Sequence, residues 1–187
     1  LQMKDPRKGF SFLSDERLDM RMDREQAFSA WDVVNGYSER DLVRILREYG
    51  EEFRAGRIAR AIARFRVKKT IDTCSELAEI VARAMGHRGR IHPATRTFQA
   101  IRIEVNRELD ELDAALRSGL GLLRQGGRIC VISYHSLEDR IVKHFVREAA
   151  KSGAADPLTK KPITPASEEL RLNPSARSAK LRGAQKR

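Results

Sequence analysis

Apolar and polar positions in the first half of the chain follow a helical period. Apolar residues recur at steps of three and four, and three of the four series start after a residue that can cap a helix, namely Asp23, Ser38 and Thr73. This pattern predicts helices beginning near Asp23, Ser38, Arg54 and Thr73, with Gly50 and Gly86 ending two of them. The predicted inward positions include Ala27, Ala30, Trp31, Val34, Leu42, Ile45, Leu46, Ile58, Ile62, Phe65, Leu77, Ile80 and Val81. Residues 38–86 are therefore expected to form a small all-helical unit.

The longest periodic pattern runs from Phe98 to Leu123. It predicts one amphipathic helix of about 28 residues, about 40 Å long at 1.5 Å per residue. Two glycines, Gly126 and Gly127, then precede the unbroken apolar run Ile129 to Ile132. Such a run predicts a short strand buried on both faces. The order helix, strand, helix is typical of an α/β fold with a doubly wound sheet.

The last part of the chain is more polar. Residues 158–164 and 178–183 are predicted as edge strands. In the first segment, Pro162 lacks the N–H that a central strand needs. The basic residues from Lys180 to Arg187 are predicted to fray.

Polar side chains gather where the predicted buried strand ends. They are Ser133, Tyr134, His135, Ser136 and Asp139, and Ser136 with Asp139 has the spacing of a helix cap. In open α/β sheets ligands bind at the carboxyl ends of strands, so this turn is a candidate site. The alternative is a capped turn with a partly buried histidine, and spacing alone leaves both interpretations open.

The net charge of +11 favours a polyanionic partner, since lysine and arginine release counterions when they neutralise phosphates. One face of the helix predicted to begin near Arg54 carries a stripe of basic residues, and more basic residues follow the helix. For these residues, RNA contact is favoured over the alternative of a solvated helix face. These residues are Arg54, Arg57, Arg60, Arg64, Lys68 and Lys69, and a second, weaker patch is Lys160, Lys161, Lys180 and Arg182. Tyr134 is favoured for stacking on a base, whereas core packing is favoured for Trp31.

Other classes of protein fit the sequence poorly. Its histidines and its two cysteines, Cys74 and Cys130, lack the spacing of a metal site, so no metal is expected. The cysteines fall in different predicted elements and suggest a reducing, cytoplasmic environment. No apolar run reaches 18 residues, so no membrane partner is expected. No P-loop, nucleophile elbow or strand-linked G-x-G-x-x-G motif is present.

Seven stretches of this sequence together resemble the ribosomal small-subunit RNA cytidine-N4 methyltransferases, the RsmH or MraW family. The stretches are residues 9–12 (GFSF), 18–23 (LDMRMD), 49–52 (YGEE), 57–62 (RIARAI), 92–100 (HPATRTFQA), 136–143 (SLEDRIVK) and 173–178 (NPSARS). They occur in order over nearly the whole chain. The resemblance implies an S-adenosylmethionine-dependent methyltransferase of class I, with a partial Rossmann-like sheet and an inserted all-helical subdomain.

The resemblance also implies a domain organisation. Residues 1–36 would end the first part of the methyltransferase domain, residues 37–93 would form the helical insertion that recognises substrate, and residues 94–187 would form the second part with a basic tail. Family members carry a glycine-rich cofactor loop and a main catalytic motif before the point that matches Leu1. Gln2 matches a cofactor-contacting glutamine. The chain is thus expected to be a C-terminal portion that is inactive alone and binds S-adenosylmethionine weakly or not at all.

The expected acceptor is a cytidine in the decoding region of 16S ribosomal RNA, free or in the small subunit. In this hypothesis Ser133, Tyr134, His135 and Ser136 wall the cytidine pocket, and Asp139 holds His135 or the turn. The opposite rim is Asp19, Arg21 and Asp23, while Thr95 and Arg96 brace the long helix. The oligomeric state stays open, with a homodimer as one option. The competing interpretation is a non-catalytic, basic RNA-binding module that acts in ribosome assembly.

Overall fold

The protein is a mixed α/β chain built as two compact units. A computed structural model describes residues 8–86 and 92–187, so Gln2 and the predicted loop residues 87–91 lie outside the described residues. The units are Leu1–Glu108 and Leu109–Arg187. The predicted division at residues 36/37 and 93/94 stays a prediction. None of the helices in the described ranges combines the length and apolar character needed to cross a bilayer.

The first unit is helical. Its helices are α1 (Ala30–Gly36), α2 (Glu39–Glu48), α3 (Ala55–Arg66), α4 (Cys74–Met85) and α5 (Thr95–Asn106). Apolar side chains on their inner faces form one core, in which Ile45, Ile58 and Leu77 are fully buried. The prediction that residues 38–86 are helical is confirmed, and they belong to the larger unit Leu1–Glu108.

The helix caps explain where most of these helices begin and end. The side chains of Ser38 and Thr73 accept hydrogen bonds from the backbone N–H groups at the starts of α2 and α4. Gly86 ends α4 with a φ of 71°, a conformation that suits glycine. The predicted start of the first helix near Asp23 is wrong, because Ser29 and Asp32 form a reciprocal cap and α1 begins only at Ala30.

Gly50 is required by a close approach of two helices. An added Cβ would lie 2.7 Å from the carbonyl oxygen of Leu46 and 2.8 Å from that of Arg96. Both atoms belong to the backbone and cannot move independently of α2 and α5. Any side chain here would therefore force these helices apart.

The predicted single long helix is wrong, because it is divided into two. Arg107 lies in the left-handed region with a φ of 48°, and α5 ends there. A new helix, α6, runs over Glu108–Leu122. The amphipathic pattern continues across the break, so apolar spacing alone did not reveal it.

The second unit contains a three-stranded sheet with helices. After α6 come β1 (Arg128–Ser133), α7 (Ser136–Lys151), β2 (Ala155–Pro157), α8 (Ser167–Leu172), a 3-10 helix (Pro174–Ser178) and β3 (Lys180–Lys186). The strand order is β1-β3-β2, and β3 is antiparallel to both neighbours. In the β1–β3 register, Arg128 lies opposite Gln185 and Ser133 opposite Lys180.

Three predictions about this sheet are wrong. The basic C-terminal segment is not frayed but forms β3, whose backbone pairs on both sides. The strand predicted over residues 178–183 is therefore central, not an edge strand. Of residues 158–164, Ile163 makes an isolated bridge to Leu181, as Pro162 permits little more. Neighbouring strands in the described sheet are antiparallel, so the doubly wound, mainly parallel arrangement expected from the sequence stays a prediction.

Strand β1 is buried on one face only, so the prediction of a strand buried on both faces is also wrong. Ile129 and Val131 pack against Leu116, Val142 and Phe145. The alternate side chains face away from this core, and Ile132 is 57% exposed.

Candidate functional site

The polar turn between β1 and α7 is held by a reciprocal helix cap. His135 is the N-cap residue, and its Nδ1 accepts a hydrogen bond from the Glu138 N–H at 3.4 Å. The Glu138 carboxylate accepts from the N–H groups of Tyr134 at 2.7 Å and His135 at 3.2 Å. The capping pair is therefore one residue earlier than the predicted pair Ser136 and Asp139, and Ser136 is the first residue of α7.

This arrangement gives neighbouring side chains very different environments. Ser133 is buried, and its hydroxyl donates to the backbone carbonyl of Lys180 at 3.4 Å. Tyr134 is 56% exposed, which leaves its ring available to a ligand. The His135 imidazole is largely buried, and its Nε2 lies 3.3 Å from Glu138 Oε1.

Asp139 joins α7 to the central strand. Its carboxylate accepts hydrogen bonds from Arg182 Nε at 2.7 Å and from Lys180 Nζ at 3.2 Å. The hydrogen bond from Arg182 holds the pKa of this carboxyl below its usual value, with Lys180 adding to the effect. Asp139 therefore joins α7, the helix that follows the turn, to β3. That Asp139 holds His135 or the turn stays a prediction.

In the first unit, a loop places Asp19 and Arg21 side by side. Asp19 Oδ1 accepts from Arg21 Nε at 2.6 Å, and this bond lowers the pKa of Asp19. Asn106, at the end of α5, holds the loop that contains Asp19 and Arg21 through two hydrogen bonds to its backbone. It donates to the Met20 carbonyl at 2.7 Å and accepts from the Met22 N–H at 2.8 Å. Asp23 is exposed and accepts a hydrogen bond from a backbone N–H two residues on.

A cavity of about 260 Å³ opens beside this loop. Its lining includes Asp19, Arg21, Ala27, Ser29, Trp31 and Asp32. Trp31 is 39% exposed and its Nε1–H donates to Asp72 at 2.8 Å. The preference for core packing at Trp31 is therefore wrong, because the indole forms part of an open wall.

Thr95 and Arg96 lie in the first turn of α5, and their role in bracing the entry to this helix stays a prediction. Arg96 Nη1 donates to the Glu51 carbonyl at 3.1 Å. Its guanidinium also lies 5.9 Å from the centre of the Phe53 ring, which is 91% exposed. Arg96 thus ties α5 to the segment before α3.

The predicted basic stripe is exposed along α3, but its members differ in their partners. Arg60 pairs with Glu39 at 3.7 Å, and Arg54 donates to the Met85 carbonyl at 3.3 Å. Within the described ranges, no carboxylate pairs with Arg57 or Arg64, and both are exposed. Lys68 is exposed as well, whereas Lys69 pairs with Glu76.

The second basic patch is divided by the fold. Lys160 and Lys161 are exposed in the loop after β2. Lys180 and Arg182 lie on β3 and are held by Asp139, and the Arg182 side chain is only 15% exposed. Arg182 is therefore much less available to an outside phosphate than either lysine of the loop.

The predicted site residues thus form two groups, one in each unit. Asp19, Arg21, Thr95 and Arg96 belong to the first unit, and Ser133 to Asp139 to the second. Sequence analysis missed Asn106 and Glu138, which position the two groups. Glu138 could have been found, because it stands three residues after His135 as a capping residue should.

Cys74 is excluded as a nucleophile. It is fully buried, and this burial raises the pKa of its thiol to about 12. The thiol therefore stays protonated at neutral pH.

These features define a basic α/β protein with two groups of polar residues. One group lies at the end of β1, and the other lies in the loop that Asn106 of α5 holds by hydrogen bonds. Over residues 1–187 the sequence matches the MraW methylase family. The chain belongs to this family.

Similar proteins carry one name, ribosomal RNA small subunit methyltransferase H. The protein of this name from Persephonella marina is 56% identical over 182 residues, 96% of this chain and 62% of its own length. That from a Sulfurihydrogenibium species is 52% identical over 94% of this chain and 61% of its own length. That from Caldicellulosiruptor bescii is 48% identical over the whole of this chain and 66% of its own length. The chain thus spans about three-fifths of the length of the first two relatives.

Proposed function

We propose that the complete gene product containing this chain transfers a methyl group from S-adenosylmethionine to N4 of a cytidine in the decoding region of 16S ribosomal RNA. The observation that carries this proposal is the 56% identity with a ribosomal RNA small subunit methyltransferase over 96% of the chain. Residues 1–187 would supply the side of the site that faces RNA.

The sheet of the second unit supports a class I methyltransferase fold. Because β1 and β2 are each antiparallel to β3, they run parallel to one another and are connected through α7. Two parallel strands joined by a helix are the connection that doubly wound sheets repeat, and here β3 lies between the two strands. The carboxyl end of β1 then falls at the polar turn, the edge where such sheets bind ligands.

The described residues do not by themselves fit a cofactor site. The turn after β1 is Ser-Tyr-His-Ser, without the glycines that let a backbone approach a nucleotide cofactor. We therefore assign the methyl donor to no described residue, and Gln2 stays its predicted contact. S-adenosylmethionine would supply an activated methyl group when bound.

The chain's own residues would position the base. Cytosine's exocyclic amine is a weak nucleophile, since its lone pair is delocalised into the ring, so the amine must be held in line for transfer. The exposed ring of Tyr134 offers a stacking surface. The cap formed by His135 and Glu138 fixes the backbone of Tyr134, because the Tyr134 N–H donates to the Glu138 carboxylate. Arg21, beside the open cavity, would meet a phosphate, and Asp19 orients its guanidinium.

The test is methyl transfer by the purified complete gene product. Small-subunit RNA and isolated subunits are incubated with S-adenosylmethionine labelled in its methyl group, and nucleosides are analysed for N4-methylcytidine. Tyr134→Ala should raise KM for RNA about tenfold, because stacking on one base contributes about 1–3 kcal/mol. Tyr134→Phe keeps the ring and is the matched control, with KM close to the unaltered value.

Two results would contradict this proposal. Unchanged KM in Tyr134→Ala would exclude the tyrosine from the cytidine pocket. RNA binding without methyl transfer by the unaltered protein would instead favour the non-catalytic assembly module, a candidate supported by the charge of +11.

A further inference from the structure

A second cavity, of about 420 Å³, lies in the unit Leu109–Arg187 and away from the β1–α7 turn. One wall is α7, which contributes Lys143, Arg147 and Lys151. The other wall is the end of β2 and its following loop, with Lys160, and Arg182 reaches the cavity from β3. The lining contains five cationic side chains and no acidic one.

Four of these five cations have no carboxylate partner in the part of the chain that the structure describes. The carboxylates nearby in sequence are engaged elsewhere: Asp139 holds Arg182, Asp156 pairs with Arg187, and Glu148 pairs with Arg117. Within the described ranges, no carboxylate pairs with the remaining members. These members are Lys143, Arg147, Lys151 and Lys160, and all four are exposed.

The cations follow a single line on α7. Lys143, Arg147 and Lys151 are four residues apart, so they recur about every 6 Å along one face of the helix. The line covers about 12 Å, longer than a single phosphate and suited to an anion with repeated charges. Between the cations lie Val146 and Ala150, whose apolar surface can support the lysine and arginine stems.

We propose that this cavity, the α7 cationic groove, binds the sugar–phosphate backbone of RNA. The groove is defined by Lys143, Arg147, Lys151 and Lys160. The proposal rests on the proposed function in one respect, namely that the partner is RNA. It adds a contact surface on α7, a helix whose other end carries the candidate cytidine pocket. Unpaired cations in a row are the chemistry that releases counterions from a phosphate chain.

The experiment compares two triple variants of the complete gene product. One is Lys143→Gln with Arg147→Gln and Lys151→Gln. The matched control removes the same charge from exposed arginines outside the groove, as Arg83→Gln with Arg124→Gln and Arg171→Gln. Affinity for a single-stranded small-subunit RNA fragment is measured by fluorescence anisotropy at several salt concentrations, and thermal unfolding confirms that both variants fold.

The groove variant should bind this RNA at least tenfold more weakly at low salt, whereas the control should change affinity less than threefold. The slope of log affinity against log salt should also fall by about 2, since each lost contact to single-stranded nucleic acid removes about 0.7. Equal affinities and slopes in the two variants would overturn the proposal. So would unchanged RNA affinity with loss of tripolyphosphate binding, measured by calorimetry, because the site would then serve a small polyphosphate.

Methyl transfer separates this proposal from the proposed function. If the unaltered protein methylates RNA and both triple variants keep the same KM for RNA, the groove assignment fails and the proposed function stands. If the unaltered protein binds RNA through the groove but transfers no methyl group, the proposed function fails and the groove assignment stands.

Discussion

The Glu138 carboxylate fixes the turn that presents Tyr134. The carboxylate accepts hydrogen bonds from the backbone N–H groups of Tyr134 and His135. The backbone N–H of Glu138 donates to the His135 ring. The negative charge also lies in the first turn of α7, where the helix dipole stabilises it. One side chain therefore determines both where the helix begins and how the turn is held.

We expect Glu138→Ala to lower the free energy of unfolding by about 1 kcal/mol, since it removes the carboxylate that accepts from the N–H groups of Tyr134 and His135 in the cap of α7. Urea unfolding followed by circular dichroism measures this change. Glu148→Ala is the control on the same helix, because its partner Arg117 is 59% exposed, and it should have a much smaller effect. Equal effects would show that the cap contributes no specific stability.

Asp139 provides a pH-dependent contribution. We expect Asp139→Asn to cost about 2 kcal/mol of unfolding free energy at pH 7, because it leaves the largely buried Arg182 without a counter-charge. The pKa of Asp139 is lowered in the folded state, so its contribution is complete above about pH 4 and is lost as pH falls through the folded pKa.

The measurement is urea unfolding of Asp139→Asn and the unaltered protein at pH 7 and again near pH 2. The difference in unfolding free energy between the two proteins should be smaller at the lower pH. Asp156→Asn is the matched control, since its pair with Arg187 is exposed, and it should shift the urea midpoint far less. A difference that stays constant with pH would contradict the role given to the Asp139 charge.

For single residues, the sequence located the polar turn but gave the wrong capping pair for α7, which is His135 with Glu138. Ser136 with Asp139 and His135 with Glu138 have the same three-residue spacing, and serine is the more common cap. Burial decides between them: Asp139 is needed by Arg182 on a strand about 40 residues later, which spacing does not reveal. Asn106 was missed because its partners, Met20 and Met22, lie 86 and 84 residues before it in the sequence.

Among the elements, α2 and α5 meet at Gly50. We expect Gly50→Ala to lower the free energy of unfolding by about 1–3 kcal/mol, because the new Cβ meets two backbone carbonyl oxygens. Gly56→Ala is the matched control. It lies inside α3 with no atom within 4 Å of the added Cβ, and should stabilise the protein by about 0.5–1 kcal/mol. Thermal and urea unfolding of both variants test this, and a neutral Gly50→Ala would contradict the close approach.

The elements that sequence predicted well are those stabilised locally. Helices α2, α3 and α4 have strong periodicity, and capping residues mark the starts of α2 and α4. The break at Arg107 was missed because no glycine or proline marks it. Strand β3 was predicted only in part, as an edge strand over residues 178–183, because the polar residues that follow resemble a solvated tail. Its central position depends on pairing with both β1 and β2.

For the whole molecule, net charge should dominate RNA affinity. We expect residues 1–187 to bind a native and a scrambled small-subunit RNA fragment with similar affinity, because phosphate contacts do not depend on base sequence. Raising salt from about 50 to about 200 mM should weaken both at least tenfold. Filter binding across this salt range measures the effect. Salt-independent binding, or strong preference for the native fragment, would show that base contacts already dominate in this part of the protein.

The exposed side of β1 has a consequence for handling the protein. In the described part of the sheet, β1 pairs with β3 along one edge, and Ile132 stands on its uncovered face. A strand with an open edge and an apolar surface is a template on which another polypeptide can add. Preparations of residues 1–187 alone should therefore aggregate as the protein concentration rises. Ile132→Lys should reduce this aggregation, because it places a charge on the exposed face of the strand.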